Sequence, residues 1–170
     1  MDEIIDTCKK NNAILIEDAA EALSAKYKGK ECGTFGEYAA LSFNGNKIIT
    51  TSGGGMLMSN NDEAIKKARF WATQARENAP WYQHEEIGYN YRMSNIVAGI
   101  GRGQLLHLEE HRELKEKIYQ RYKEGFKDLP IKMSTYLDGT RPNFWLSCFT
   151  IDENVGIIPM YIVKKLNEAN

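Results

Sequence analysis

The chain has 170 residues and a formal net charge of −1, from 22 Lys and Arg against 23 Asp and Glu; 42% of it is hydrophobic and 11% aromatic. That balance argues against a nucleic-acid or anionic-membrane binder driven by bulk charge, and the apolar content argues against disorder. No apolar run approaches the ~20 residues of a membrane span, no secretory signal opens the chain, and Cys8, Cys32 and Cys148 are scattered without a CxxC, so a cytoplasmic protein with reduced, partly buried thiols and no zinc site is expected.

Residues 2–11 have helical spacing, with Ile4, Ile5 and Cys8 on one face. Ala13 to Ile16 is a short apolar run ending in Glu17-Asp18, as a buried parallel strand does, and Ala39 to Phe43 is a second such run. Met56 to Met58, after three glycines, reads as a third strand. Asn61-Asp62-Glu63 then supply a cap and an acidic first turn for a helix through about residue 74. A polar, aromatic loop is expected over 75–90. Ser94 caps a long helix to about Lys127, in which Gly99, Gly101 and Gly103 predict close packing or a bend. Phe144 to Ile151 reads as another strand, and Pro159 opens a final helix that reaches Asn170. Strands alternating with helices imply an α/β layer. The first helix has no cap before it and the last no stop signal, so both ends read as internal to a longer protein or as trimmed termini.

Chemistry concentrates at the predicted strand ends. Asp18 follows the first strand, where ligands bind in α/β sheets. It either holds a proton on a heteroaromatic ring nitrogen or caps a helix beginning near Ala19. Lys47 follows the second strand in Ser42-Phe43-Asn44-Gly45-Asn46-Lys47, and is either a nucleophile or a solvated turn lysine; Ser42 is a possible phosphate ligand. Thr50 to Gly55 lacks the GxxxxGK[ST] of a phosphate loop, so its glycines are read as turning the backbone behind Lys47 and feeding the next strand. Gly88 to Ser94 precedes a helix start, either as an anion site or as aromatic packing. His107 and His111 are an i, i+4 pair without an HExxH, and read as a solvated helix face with no metal.

Three blocks, IEDAAEAL, YKGKECGTFGEYAALSFNGNKIITTSGGGMLMS and GYNYRMSNIVAGIG, together resemble the DegT/DnrJ/StrS family of sugar aminotransferases along essentially the whole chain. The resemblance implies a pyridoxal-phosphate enzyme of the aspartate-aminotransferase fold, α/β with a mixed sheet and flanking helices. It implies part of the cofactor-binding large domain over 1–95, a connecting helix over 96–130 and the beginning of the small domain over 131–170. Lys47 resembles the lysine that captures the cofactor aldehyde, Asp18 the carboxylate that pairs with the pyridine nitrogen, and Ser42 the phosphate-binding serine. Asn90 matches the asparagine that reaches the cofactor phosphate of a neighbouring subunit, so a homodimer with shared active sites is implied.

Glu21 stands where other members carry Gln or His. With TQARENAPWYQHEEIGYNYR and RPNFWLS it resembles the UDP-N-acetylbacillosamine-pathway branch, whose members aminate a UDP-4-keto-6-deoxy-N-acetylhexosamine with glutamate as donor; Glu21 is accordingly a candidate catalytic residue beside Lys47. Family members that dehydrate their sugar carry histidine in place of the lysine, so Lys47 argues for transamination. Members are more than twice this length, and the Gly-Thr phosphate loop and most of the small domain are expected outside these residues. Two other readings stand beside this one: an inactive piece of such an enzyme that acts at most as a packing or interaction module, and a nucleotide-binding module built on the triple glycine.

Overall fold

A computed structural model describes residues 1–169; Asn170, where the last helix was expected to finish, lies outside the described residues. Helix α1 (Asp2–Lys10) leads into strand β1 (Ile16–Asp18), followed by two short strands, β2 (Lys26–Tyr27) and β3 (Lys30–Glu31). Strands β4 (Tyr38–Ser42) and β5 (Gly55–Ser59) precede helix α2 (Asp62–Ala72). Helices α3 (Asn95–Leu105) and α4 (Leu108–Gly125) follow, then strands β6 (Ile131–Met133), β7 (Thr140–Arg141) and β8 (Phe149–Ile151), a short 3₁₀ turn and helix α5 (Pro159–Ala169).

The principal sheet has the order β1-β4-β5, with β1 parallel and β5 antiparallel to β4, which makes it the expected mixed sheet. Ala39 and Leu41 are buried on one face of β4, and Leu41 packs with Ala19, Phe43 and Ile49 in the main core. Helix α2 begins where the acidic turn predicted it, with the Asn61 side chain accepting a hydrogen bond from the Ala64 N–H at 3.0 Å. Ser94 caps α3 in the same way through the Val97 N–H. A second small core joins Tyr119 of α4 to Met133 and Phe144.

Four expectations need correction. The first strand is parallel, but it starts at Ile16 and turns its isoleucines outward: Ile14 is 61% and Ile16 67% exposed while Glu17 is buried. Strand residues alternate faces, and the inward register is taken by Glu17 because it accepts hydrogen bonds from the backbone N–H groups of Gly33, Phe35 and Gly36. The long helix is two helices, broken at Leu106-His107, where the His107 N–H bonds the Gln104 carbonyl in a tightened i→i−3 turn. The glycines are not the break. At Gly101 a Cβ would stand 2.8 Å from Thr51 Cγ2, so this position marks close packing of α3 on the 50–55 loop. The expected strand from Phe144 shrinks to β8, because Phe144 has φ of 52°, a left-handed conformation that interrupts any strand. Cys148 is exposed, whereas Cys8 and Cys32 are half-buried; burial, reinforced by the Glu17 and Glu31 carboxylates, pushes the Cys32 thiol pKa up.

Strand β7 pairs with β2, so the segment around residue 141 returns to the loop that follows β1. No described helix is long and apolar enough to cross a membrane.

Candidate active site at the carboxyl edge of the sheet

Because β1 and β4 run parallel, their carboxyl ends emerge on the same edge of the sheet. Asp18 ends β1 opposite Ala40, and the Ala19 N–H continues the ladder to the Ala40 carbonyl at 3.0 Å. No helix begins near Ala19. Instead the Asp18 carboxylate accepts from the Ala20 N–H at 3.1 Å and closes a turn, leaving the side chain exposed at the sheet edge. Ser42 ends β4 opposite Gly55, where its Oγ accepts from the Asn44 N–H at 3.3 Å.

Lys47 closes the turn that follows, its N–H donating to the Asn44 carbonyl. The turn is braced from behind as expected: Ser52 and Gly54 adopt φ of 70° and 103°, and the Thr51 N–H returns to the Phe43 carbonyl at 2.9 Å. The Lys47 side chain is only 12% exposed, and its Nζ lies 3.4 Å from Glu21 Oε1. Nζ also sits 4.3 Å from the centroid of the Trp145 ring. A carboxylate and an aromatic face both attract an ammonium.

The structure therefore brings Glu21 and Lys47 into contact and sets Asp18 and Ser42 on the same edge. Asn90 stands apart: its backbone bridges Thr73, its side chain is exposed, and among the described residues it makes no hydrogen bond to Lys47, Asp18 or Ser42. The neighbouring Tyr89 and Tyr91 rings, both exposed, stack at 5.1 Å. His107 pairs with Glu110 on the surface, whereas His111 is half-buried with Nδ1 3.3 Å from the Ile48 carbonyl, so the two histidines do not form a single solvated face. No group of three or more metal-ligating side chains is poised around a common point among the described residues.

A profile of the DegT/DnrJ/EryC1/StrS aminotransferase family matches residues 1–170. The chain belongs to this family. The DegT/DnrJ/EryC1/StrS enzymes are pyridoxal-phosphate-dependent sugar aminotransferases, and the present member is 53% identical over 172 aligned residues to EpsN of Bacillus subtilis (strain 168), provisionally named a pyridoxal phosphate-dependent aminotransferase. That match takes in 100% of this chain and 44% of EpsN. It is 36% identical over 170 residues to GDP-perosamine synthase of Caulobacter vibrioides, covering 98% of this chain and 46% of the synthase. PseC of Helicobacter pylori, an aminotransferase involved in the biosynthesis of pseudoaminic acid, superposes on 99% of the chain and 46% of its own with a TM-score of 0.89; at 23% identity this shows a shared fold. The chain thus spans less than half the length of the curated relatives EpsN and GDP-perosamine synthase.

In this DegT/DnrJ/EryC1/StrS chain, three residues at the site escape sequence reasoning. Trp145 and Asn143 lie about a hundred residues from Lys47; both fall in RPNFWLS, which marks the branch resemblance without showing that either residue meets the site, and Trp145 also falls in the expected strand. Buried Asn143 donates through Nδ2 to the Glu21 and Leu23 carbonyls at 2.7 and 3.0 Å. Glu17, next to Asp18, ends the apolar run; the available signal was a carboxylate at the inward register of a strand that a glycine-containing loop approaches.

Proposed function

We propose that this chain forms the lysine-bearing part of a pyridoxal-phosphate-dependent aminotransferase acting on a nucleotide-linked 4-keto-6-deoxy sugar, with UDP-4-keto-6-deoxy-N-acetylhexosamine as substrate and glutamate as amino donor. One observation carries the reading: a sequestered lysine amine, Lys47, stands on the sheet edge from which the carboxylate of Asp18 and the hydroxyl of Ser42 also emerge. This donor set fits the cofactor, with an amine for its aldehyde, a carboxylate for its ring nitrogen and a hydroxyl for its phosphate. Bound pyridoxal phosphate supplies an electron sink and a carrier for the amino group.

The residues of the chain have separable tasks. Lys47 Nζ would hold the cofactor at its aldehyde and would serve as general base and acid for the proton that moves. Arginine at this position would keep the charge but not the nucleophile. Asp18 holds a proton on the ring nitrogen through a charged hydrogen bond. Ser42 Oγ donates to the phosphate, and Asn90 serves the phosphate of a second subunit in a homodimer with shared sites. Glu21, in contact with Lys47, is placed to accept the lysine proton. The division into a large domain over 1–95, a connector over 96–130 and the start of a small domain over 131–170 belongs to the same reading.

Titrating the chain with pyridoxal phosphate tests it. A visible absorbance band that appears in the wild type and is lost in Lys47→Arg is the expected result; a band of equal strength in both overturns it. In the complete enzyme, amination with glutamate is expected for the UDP-linked sugar in preference to its GDP-linked counterpart, and the reverse preference overturns the choice of nucleotide.

A further inference from the structure

The segment 141–145 is knitted to the site by contacts that the assigned residues do not require. Strand β7 pairs with β2. Arg141 Nη2 donates to the Ser24 carbonyl at 3.1 Å, and Asn143 holds both the Glu21 and Leu23 carbonyls. The Asn143 side-chain oxygen then accepts from the Trp145 N–H at 3.0 Å, while Phe144 turns through its left-handed conformation into the second core. Trp145 is thereby delivered onto the Lys47 turn, where its indole N–H donates to the Asn46 carbonyl and its ring face meets Lys47 Nζ at 4.3 Å.

We infer that Trp145 is a positioning residue for Lys47: its indole face and the Glu21 carboxylate hold the lysine amine between them and so aim it at an incoming aldehyde. The inference rests on Lys47 being the aldehyde acceptor. Two features of one side chain are separable. The Nε1–Asn46 bond ties the indole to the backbone of the Lys47 turn and is structural. The ring face touches the amine and carries the proposed role. Phenylalanine keeps the face and loses the tie, whereas leucine loses both.

The test is reductive trapping of pyridoxal phosphate on the chain at one fixed pH. The Lys47 amine attacks the aldehyde carbon, water leaves, and hydride from borohydride reduces the resulting C=N bond to a secondary amine that mass spectrometry counts. Lys66, with 72% of its side chain exposed, is the internal reference. Trp145→Leu is expected to lower trapping at Lys47 relative to Lys66 by about tenfold, the scale that losing the orientation of a reacting group sustains, with Trp145→Phe within about threefold of wild type. Equal trapping in Trp145→Leu and wild type overturns the inference, as does an equal fall in both variants, which would assign the effect to the tie. A second arm needs neither the cofactor nor a Trp145 variant: Lys47→Met is expected to shift the tryptophan emission spectrum, and an unchanged spectrum overturns the inference. Wild-type Lys47 trapped no faster than Lys66 would instead refute the aldehyde-acceptor reading, leaving the emission arm to decide the contact between Lys47 and Trp145.

Discussion

Replacing Glu17 by alanine strips a buried carboxylate from three backbone donors. The Gly33 N–H binds Oε2 at 2.8 Å, and the Phe35 and Gly36 N–H groups share Oε1 at 2.5 and 2.7 Å. A buried donor left unpaired costs about 1–3 kcal/mol. Gly33 pays that in full, while the other two bonds are partly wetted and pay the lower end, so Glu17→Ala is expected to cost about 3–5 kcal/mol. Glutamine keeps the shape and one acceptor oxygen. With that oxygen on the Phe35 and Gly36 pair, its amide opposes only the Gly33 donor, and the cost falls to about 1–3 kcal/mol. Urea unfolding followed by far-ultraviolet circular dichroism measures both. Against the 5–15 kcal/mol typical of a domain, the alanine variant should show a large fall in midpoint. An alanine variant within about 1 kcal/mol of wild type, or a glutamine variant no better than alanine, refutes the reasoning.

Gly88→Ala and Gly99→Ala should act in opposite directions. A Cβ at Gly88 would stand 2.3 Å from the Ala75 nitrogen and force backbone apart, costing about 1–3 kcal/mol or more, whereas Gly99 lies within α3 with open space around it and should gain about 0.5–1 kcal/mol in helix propensity; two melting temperatures check the signs. Glu109 has its carboxyl pKa lowered, foremost by the Ser24 hydroxyl and then by Arg112 and Arg141, so its contribution to stability is present above the free glutamate value of about 4.3 and is lost as pH falls through the lower folded value. Glu109→Gln should flatten that acid-side decline in a series of melts below pH 5, and an unaltered slope would show that Glu109 does not set it. In the complete enzyme Asn90→Ala should weaken cofactor binding about 10- to 100-fold, as loss of a charged hydrogen bond of ~1.5–3 kcal/mol implies. Mixing Asn90→Ala with Lys47→Ala subunits should restore one intact site per heterodimer, and inactive verified heterodimers would place Asn90 at its own subunit's site.

Local signals were readable from sequence because their causes are local. The Asn61 cap, the apolar run at Ala39 to Phe43 and the glycine turn before β5 all act within a few residues, and a helix start and two strands emerged there. Asp18 and Lys47 were legible as strand-end residues, and the parallel pairing of β1 with β4 supplies the shared edge. The inward turn of Glu17 was not, because an apolar run with a terminal carboxylate fits either register until the donors at Gly33 to Gly36 are known. Neither was the break between α3 and α4, which depends on one tightened hydrogen bond with no proline or glycine at the site. Trp145 was invisible as a site residue because nothing near it in the chain announces what it touches.

The strap from Arg141 to Trp145 also orders events in time. Its bonds to Ser24, Glu21 and Leu23 close loops of 117, 122 and 120 residues, among the longest in the chain. Loop-closure entropy makes such contacts late ones in folding. The sheet edge bearing Asp18, Ser42 and Lys47 needs only the first 59 residues to form its strands, so during synthesis it stands open until residue 145 has emerged. Throughout this interval the lysine amine lacks the Trp145 ring and has the Glu21 carboxylate as its contact.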